Sequence, residues 1–135
     1  MLNTIQEIIG EFKKGRMVIV VDDESRENEG DLVMPASFAR PEDINFMSKF
    51  GRGLICVPME ESRLSFLGLR PMLGESSFLG SKDPFSTAWV ISTDAALGVT
   101  TGISAYDRSR TIEVLINPRS RPEDLIRPGH IFPLR

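Results

Sequence analysis

The chain has 135 residues, enough for one domain with a real hydrophobic core. Hydrophobic residues make up 41% and charged residues 26%, and the net charge of -3 excludes a nucleic-acid binder that works through a general basic surface. The single cysteine, Cys56, excludes an internal disulfide and a multi-cysteine zinc site, and it suits a reducing cytoplasm.

The opening MLNTIQEIIGEF has acidic residues and no basic targeting region, so it reads as a helix. Thr4 and Glu7 have capping-box spacing, and Ile5, Ile8, Ile9 and Phe12 share one helical face. Lys13 and Lys14 suit the helix end and Gly15 its stop. Met17 to Val21 is a continuous, largely β-branched run, which predicts a strand buried on both faces. An acidic loop follows, and residues 32 to 36 predict a second strand. Pro41-Glu42-Asp43 has the form of a first helical turn, with Gly51 and Gly53 closing that helix. Residues 53 to 59, GLICVPM, predict another buried strand, and residues 60 to 67 a short helix.

Residues 68 to 86 are rich in Gly, Ser and Pro and predict a long loop of the kind that carries function. TAWVIST, 87 to 93, is strand-like, and GVTTGIS, 98 to 104, is a turn rich in glycine and hydroxyls. Residues 105 to 117 predict a helix with Ile112, Leu115 and Ile116 towards the core. NPRSRPEDL is a loop entering a short helix, and RPGHIFPLR joins a tight Pro-Gly turn to an apolar strand. No apolar run approaches the roughly 20 residues of a membrane span. Alternating strands and helices predict a single domain over residues 1 to 135, either α/β or a layered α+β fold with a mixed sheet.

VDDESRENEGDL, 21 to 32, places Asp22, Asp23, Glu24, Glu27, Glu29 and Asp31 around Arg26. So many carboxylates repel one another unless something offsets them. A solvated charged turn is the plain reading. Function is favoured because ligands of open α/β sheets gather beyond strand ends, and because a strand gives side chains a fixed base. Oxygen ligands of this kind suit Mg²⁺ or Mn²⁺, with other acids left for proton transfer. Arg26 can neutralise its neighbours or hold an anionic substrate. The spacing is not that of an EF-hand, and no Walker A or G-x-G-x-x-G motif is present.

His130 is the only histidine, and it is the natural general acid or base if a site lies nearby. Thr100, Thr101, Gly102 and Ser104 form either a phosphate- or hydroxyl-binding turn or the cap of the following helix, with Asp107 in the usual Glu or Gln place. Cys56 reads first as a small core residue.

Four blocks together resemble the 3,4-dihydroxy-2-butanone 4-phosphate synthase family of riboflavin biosynthesis. They are VDDESRENEGDLVMPA at 21 to 36, GRGLICVPM at 51 to 59, TDAALGVTTGISAYDRSRTI at 93 to 112, and RPGHIFPLR at 127 to 135. The resemblance covers essentially the whole chain. It implies an α+β fold, a mixed twisted sheet covered by helices. It also implies a lyase that converts ribulose 5-phosphate into 3,4-dihydroxy-2-butanone 4-phosphate and formate with Mg²⁺ or Mn²⁺. By the same resemblance, Arg26 and Glu27 contact the sugar phosphate, Glu27 also ligates the metal, and Asp31 contacts substrate. Glu29 and His130 are the catalytic residues, and Cys56 lies near the site. A homodimer is implied, and a GTP cyclohydrolase II domain follows in some relatives.

The family continues past PLR into a Gly-His-Thr-Glu segment that supplies a second metal ligand, phosphate contacts and a further catalytic acid. This chain ends at Arg135, so the expectation is that the intact protein makes formate and residues 1 to 135 alone do so poorly. Residues 81 to 90 depart from the family's Thr-Ser-Ala-Tyr-type segment at the substrate entrance. The rival expectation is a non-catalytic binding or assembly module of the same fold. An unrelated metal-dependent phosphosugar enzyme is a third.

Overall fold

The computed structural model describes residues 2–73 and 84–135. Most of the expected long loop, residues 74 to 83, therefore lies outside the described residues. Helix α1 is Ile5–Lys13. Its capping box forms: the Glu7 amide donates to Thr4 Oγ1 at 3.4 Å, and the Thr4 amide donates to Glu7 Oε2 at 2.8 Å. None of its residues is buried, so its apolar face is only partly covered.

Strands β1 (Val18–Val21) and β2 (Gly30–Val33) form an antiparallel two-stranded ribbon. The expectation of a strand buried on both faces fails here. Among the described residues β1 pairs only with β2 and lies outside the larger sheet. Val20 and Val21 are exposed, and Ile19 is 68% exposed. A β-branched run reports strand propensity and says nothing about what comes to cover the strand.

Helix α2 (Pro41–Phe46) starts as expected, with the Arg40 amide donating to Asp43 Oδ2 at 3.1 Å. It widens into one π turn over Met47–Gly51 and stops at Arg52, whose φ of 61° is left-handed. Strand β3 (Cys56–Pro58) and helix α3 (Glu61–Phe66) follow at the expected places. The expected strand over 87 to 93 is reduced to two isolated bridges, Trp89 to Leu134 and Val90 to Pro71. Regular strand β4 is Thr93–Ala95. Helix α4 is Ala105–Ile116, and strand β5 is Leu125–Leu134.

β5 is the middle strand of a three-stranded sheet, parallel to β3 and antiparallel to β4. The fold is thus α+β with a mixed sheet and a separate ribbon. α4 lies between α2 and the sheet. Ile44, Leu67, Leu115, Val90 and Ile131 form the centre of the core, each nearly inaccessible. Burying one such side chain stabilises the fold by about 1.5–3 kcal/mol. Ile112 and Leu115 face the core as expected, but Ile116 is exposed in the last turn. A helix covered on two sides buries polar positions as well, here Asp107, Ser109 and Thr111. Each finds partners. Ser109 Oγ donates to the Ala39 carbonyl at 2.9 Å, and Thr111 Oγ1 accepts from the Ala95 amide at 2.9 Å. No helix among the described residues is long and apolar enough to cross a membrane.

Candidate active site

The acidic loop spans β1 and β2, and Asp22 organises it. Asp22 Oδ1 accepts from the Glu29 amide at 2.9 Å. Its Oδ2 accepts from the Glu27 amide at 3.0 Å and from Arg26 Nη1 at 2.9 Å. Asp23 Oδ1 accepts from the amide of Ser25 at 2.8 Å and from its hydroxyl at 2.5 Å. The Glu29 amide above all, then those of Glu27 and the Arg26 guanidinium, holds the Asp22 carboxyl below its ordinary value. The Ser25 hydroxyl and amide do the same for Asp23. Two of the six acids are therefore consumed by the loop itself. Asn28 adopts a left-handed φ of 52°, a conformation asparagine tolerates better than most residues.

Arg26 is shared between carboxylates. Besides Asp22, its Nη2 lies 3.2 Å from Glu27 Oε1, and the guanidinium sits 5.8 Å from the centre of the Phe85 ring. Phe85 thus borders the acidic loop. Glu27 is half-buried, whereas Glu29 and Asp31 are exposed. Burial pushes the Cys56 thiol up, and the nearby Asp31 carboxylate adds to that effect. Cys56 stands opposite Phe132 of β5, two residues along the strand from His130. Among the described residues, no three His, Cys, Asp or Glu side chains gather to hold a metal ion. The oxygen donors of Glu27 and its neighbours still fit Mg²⁺, which ordinarily takes only one or two protein carboxylates.

His130 sits in a different part of the fold. Thr93 pairs with Ile131, but Asp94 pairs with Ile126, so Arg127, Pro128, Gly129 and His130 form an excursion between consecutive pairings. The expected Pro-Gly turn is therefore a bulge inside β5. The excursion brings the amide and the ring of His130 to one carboxylate. The His130 amide donates to Asp94 Oδ1 at 2.8 Å, and Nδ1 lies 2.7 Å from Asp94 Oδ2.

The GVTTGIS turn is tied by Asp107. Asp107 Oδ1 accepts from the Thr100 amide at 3.1 Å, and Oδ2 accepts from the Thr100 hydroxyl at 2.8 Å and from the Gly102 amide at 3.0 Å. Ser104 caps α4 by accepting from the Asp107 amide at 3.0 Å. The capping reading holds for Ser104, while the Asp107 carboxylate turns to the loop. The Thr100 hydroxyl leads a set of donors that hold Asp107 below the ordinary aspartate value of 3.8. A lowered folded value means that this stabilisation is complete above the unfolded value and is lost as pH falls through the folded one. An Asp107→Asn protein is expected to be less stable than the parent at pH 7, with the gap closing in acid-unfolding curves below about pH 4. A gap that stays constant with pH would count against this.

Arg26, Glu27 and Asp22 form one cluster, Glu29 joins it through its backbone, and Asp31 stands beside Cys56. His130 belongs to the separate pair with Asp94. No hydrogen bond or ion pair among the described residues joins that pair to the acidic loop. Asp94 went unnoticed in the sequence, although an acid inside the apolar run 87 to 97 signals a buried carboxylate that needs a partner.

A family model described as 3,4-dihydroxy-2-butanone 4-phosphate synthase matches residues 6–135. The chain belongs to that family. It is 51% identical over 135 residues to the riboflavin biosynthesis protein RibBA of Aquifex aeolicus, covering 98% of this chain and 32% of that protein. It is 49% identical over 134 residues to the 3,4-dihydroxy-2-butanone 4-phosphate synthase of Neisseria meningitidis, covering 99% of this chain and 36% of that one. The chain thus spans about a third of the length of these curated relatives. A crystal structure of 3,4-dihydroxy-2-butanone 4-phosphate synthase in complex with two magnesium ions superposes with a TM-score of 0.91 at 41% identity. That match covers 99% of this chain and 60% of the other. The fold is therefore that of the synthase family.

Proposed function

We propose that the chain carries the acidic-loop half of a 3,4-dihydroxy-2-butanone 4-phosphate synthase site, acting on ribulose 5-phosphate to give 3,4-dihydroxy-2-butanone 4-phosphate and formate. The observation that carries this reading is the loop tied by Asp22, which presents Arg26, Glu27 and Glu29 between β1 and β2, with Asp31 at the start of β2, in a chain of this family. The reaction removes a proton beside a ketone, loses a hydroxyl, moves part of the carbon skeleton and expels formate. Each stage moves protons or builds negative charge on oxygen.

Arg26 has five donors, two nitrogens of which engage Asp22 and Glu27, and it would hold the phosphate with the others. Glu27 would contact the sugar and supply one metal ligand through the carboxylate oxygen turned away from Arg26. Asp31 would accept a substrate hydroxyl. Glu29 and His130 would exchange protons with the substrate carbon and oxygens. A bound Mg²⁺ or Mn²⁺ would act as a Lewis acid that lowers the cost of negative charge on the ketone and hydroxyl oxygens. The neighbour solved with two magnesium ions supports divalent-metal use and leaves the choice of ion to assay. Formate release from ribulose 5-phosphate, dependent on added Mg²⁺ and stopped by EDTA, is the expected result. EDTA-insensitive or absent release by the protein that contains this chain would overturn the reading.

Residues 1 to 135 would form the major, N-terminal part of a single synthase-like domain, in the cytoplasm. A fused GTP cyclohydrolase II domain is supported by a rice relative, 47% identical over 133 residues, whose name calls it bifunctional. A homodimer is supported by the ribbon. A two-stranded ribbon is marginal by itself, and this one leaves Ile19, Val20 and Val21 open on both faces. Light scattering is expected to give a dimer mass for the parent and a monomer mass for Ile19→Lys. A monomeric parent would refute the dimer.

A further inference from the structure

We propose that Asp94 is the positioning residue of His130, fixing the imidazole with hydrogen on Nδ1 and leaving Nε2 as the nitrogen that moves a proton. The inference rests on the reading of His130 as the acid–base group and adds the residue that sets its tautomer.

A carboxylate has no hydrogen to give, so the 2.7 Å contact between Nδ1 and Asp94 Oδ2 makes Nδ1 the donor. The other oxygen is already committed to the His130 amide at 2.8 Å. One carboxylate therefore holds the main chain and the ring of the same residue, and the ring cannot swing without breaking a paired contact. Among the described residues, His130 is the only ion-pair partner of Asp94. The Asp94 side chain is 5% exposed and that of His130 is 39% exposed, so the accessible part of the ring is the edge away from Asp94.

The surroundings keep this arrangement. A Cβ at Gly129 would overlap the backbone of Thr93 and Asp94, so β5 presses directly onto β4 beside the histidine. The Gly129 amide donates to Ser92 Oγ at 3.2 Å. On the other side stands Gly102, at a φ of +91°, where a Cβ would overlap the Asp94 carboxylate and lie 2.6 Å from His130 Nδ1. Asp107 holds that glycine by its amide. The hydroxyl-rich turn is thus the back wall of the histidine pair, a role its phosphate-loop appearance does not suggest.

The substitution Asp94→Asn separates positioning from packing. The Asn oxygen must still accept from the His130 amide, so its NH₂ faces Nδ1, which becomes an acceptor, and the ring proton moves to Nε2. His130 is the only histidine, so its two ring nitrogens are unambiguous in a long-range ¹H–¹⁵N spectrum of the 135-residue protein. With the ring neutral, the parent is expected to show a protonated Nδ1 and an unprotonated Nε2. Asp94→Asn is expected to exchange the two. A parent with its proton on Nε2, or a folded variant with the parental tautomer, would overturn the proposal. The parent spectrum decides the matter even where the variant fails to fold. It also does so without turnover: a wrong tautomer removes the role of Asp94, whereas a correct tautomer with no formate release removes the proposed reaction.

Discussion

Glu27→Gln is expected to abolish Mg²⁺-dependent formate release from ribulose 5-phosphate, with a loss of at least about 100-fold in kcat/KM. The amide keeps the size of the side chain and removes the charge a hard cation needs. It also gives up the ion pair to Arg26, so the residue proposed to hold the phosphate loses one of its two carboxylate partners. Folding should be nearly untouched, because that pair is partly exposed and such pairs contribute about 1 kcal/mol or less. The informative result is therefore lost turnover at an unchanged Tm. Raising Mg²⁺ should restore part of the rate if affinity for the ion is what falls. Parental turnover in the variant would remove Glu27 from the site.

Gly102→Ala is expected to be strongly destabilising, with a loss of about 3 kcal/mol and a Tm lower by roughly 10 °C. Two costs combine. An L side chain at a φ of +91° is strained by about 1 kcal/mol or more. The added methyl would also displace a buried carboxylate that is holding the histidine. Gly10→Ala is the internal control, since a Cβ there meets nothing within 4 Å and sits in helix α1. It should be neutral or stabilising by up to about 1 kcal/mol. Thermal unfolding of the two variants side by side decides the point, and equal Tm values would mean that the back wall yields easily.

The helices were legible because their signals are local. Thr4 with Glu7, Pro41 with Asp43, and Ser104 before α4 all announce their caps within three residues. The strands were harder. β1 has the composition of a buried strand and remains largely open, because coverage comes from elements far along the chain. The segment 87 to 93 looked like a regular strand, yet its pairing with β5 becomes regular only at Thr93. In the site, the acidic loop stood out because its residues are neighbours in sequence. The Asp94–His130 pair spans 36 positions and leaves no spacing to read. The one local signal, an acid inside an apolar run, went unread. Residue chemistry also could not divide the six carboxylates into those that build the loop and those that face outward. That division depends on which amides Asp22 and Asp23 reach.

The place of β5 in the middle of its sheet has a consequence for local stability. His130 sits in a bulge of that central strand with its amide tied to Asp94, so its surroundings open with the most protected unit of the domain. The acidic carboxylates ride on a separate two-stranded ribbon, whose amides should exchange through smaller and more frequent openings. A ligand gripped by both parts would couple two units that otherwise fluctuate independently. Its binding free energy would then appear first as slowed hydrogen exchange in the ribbon, where there is most protection left to gain.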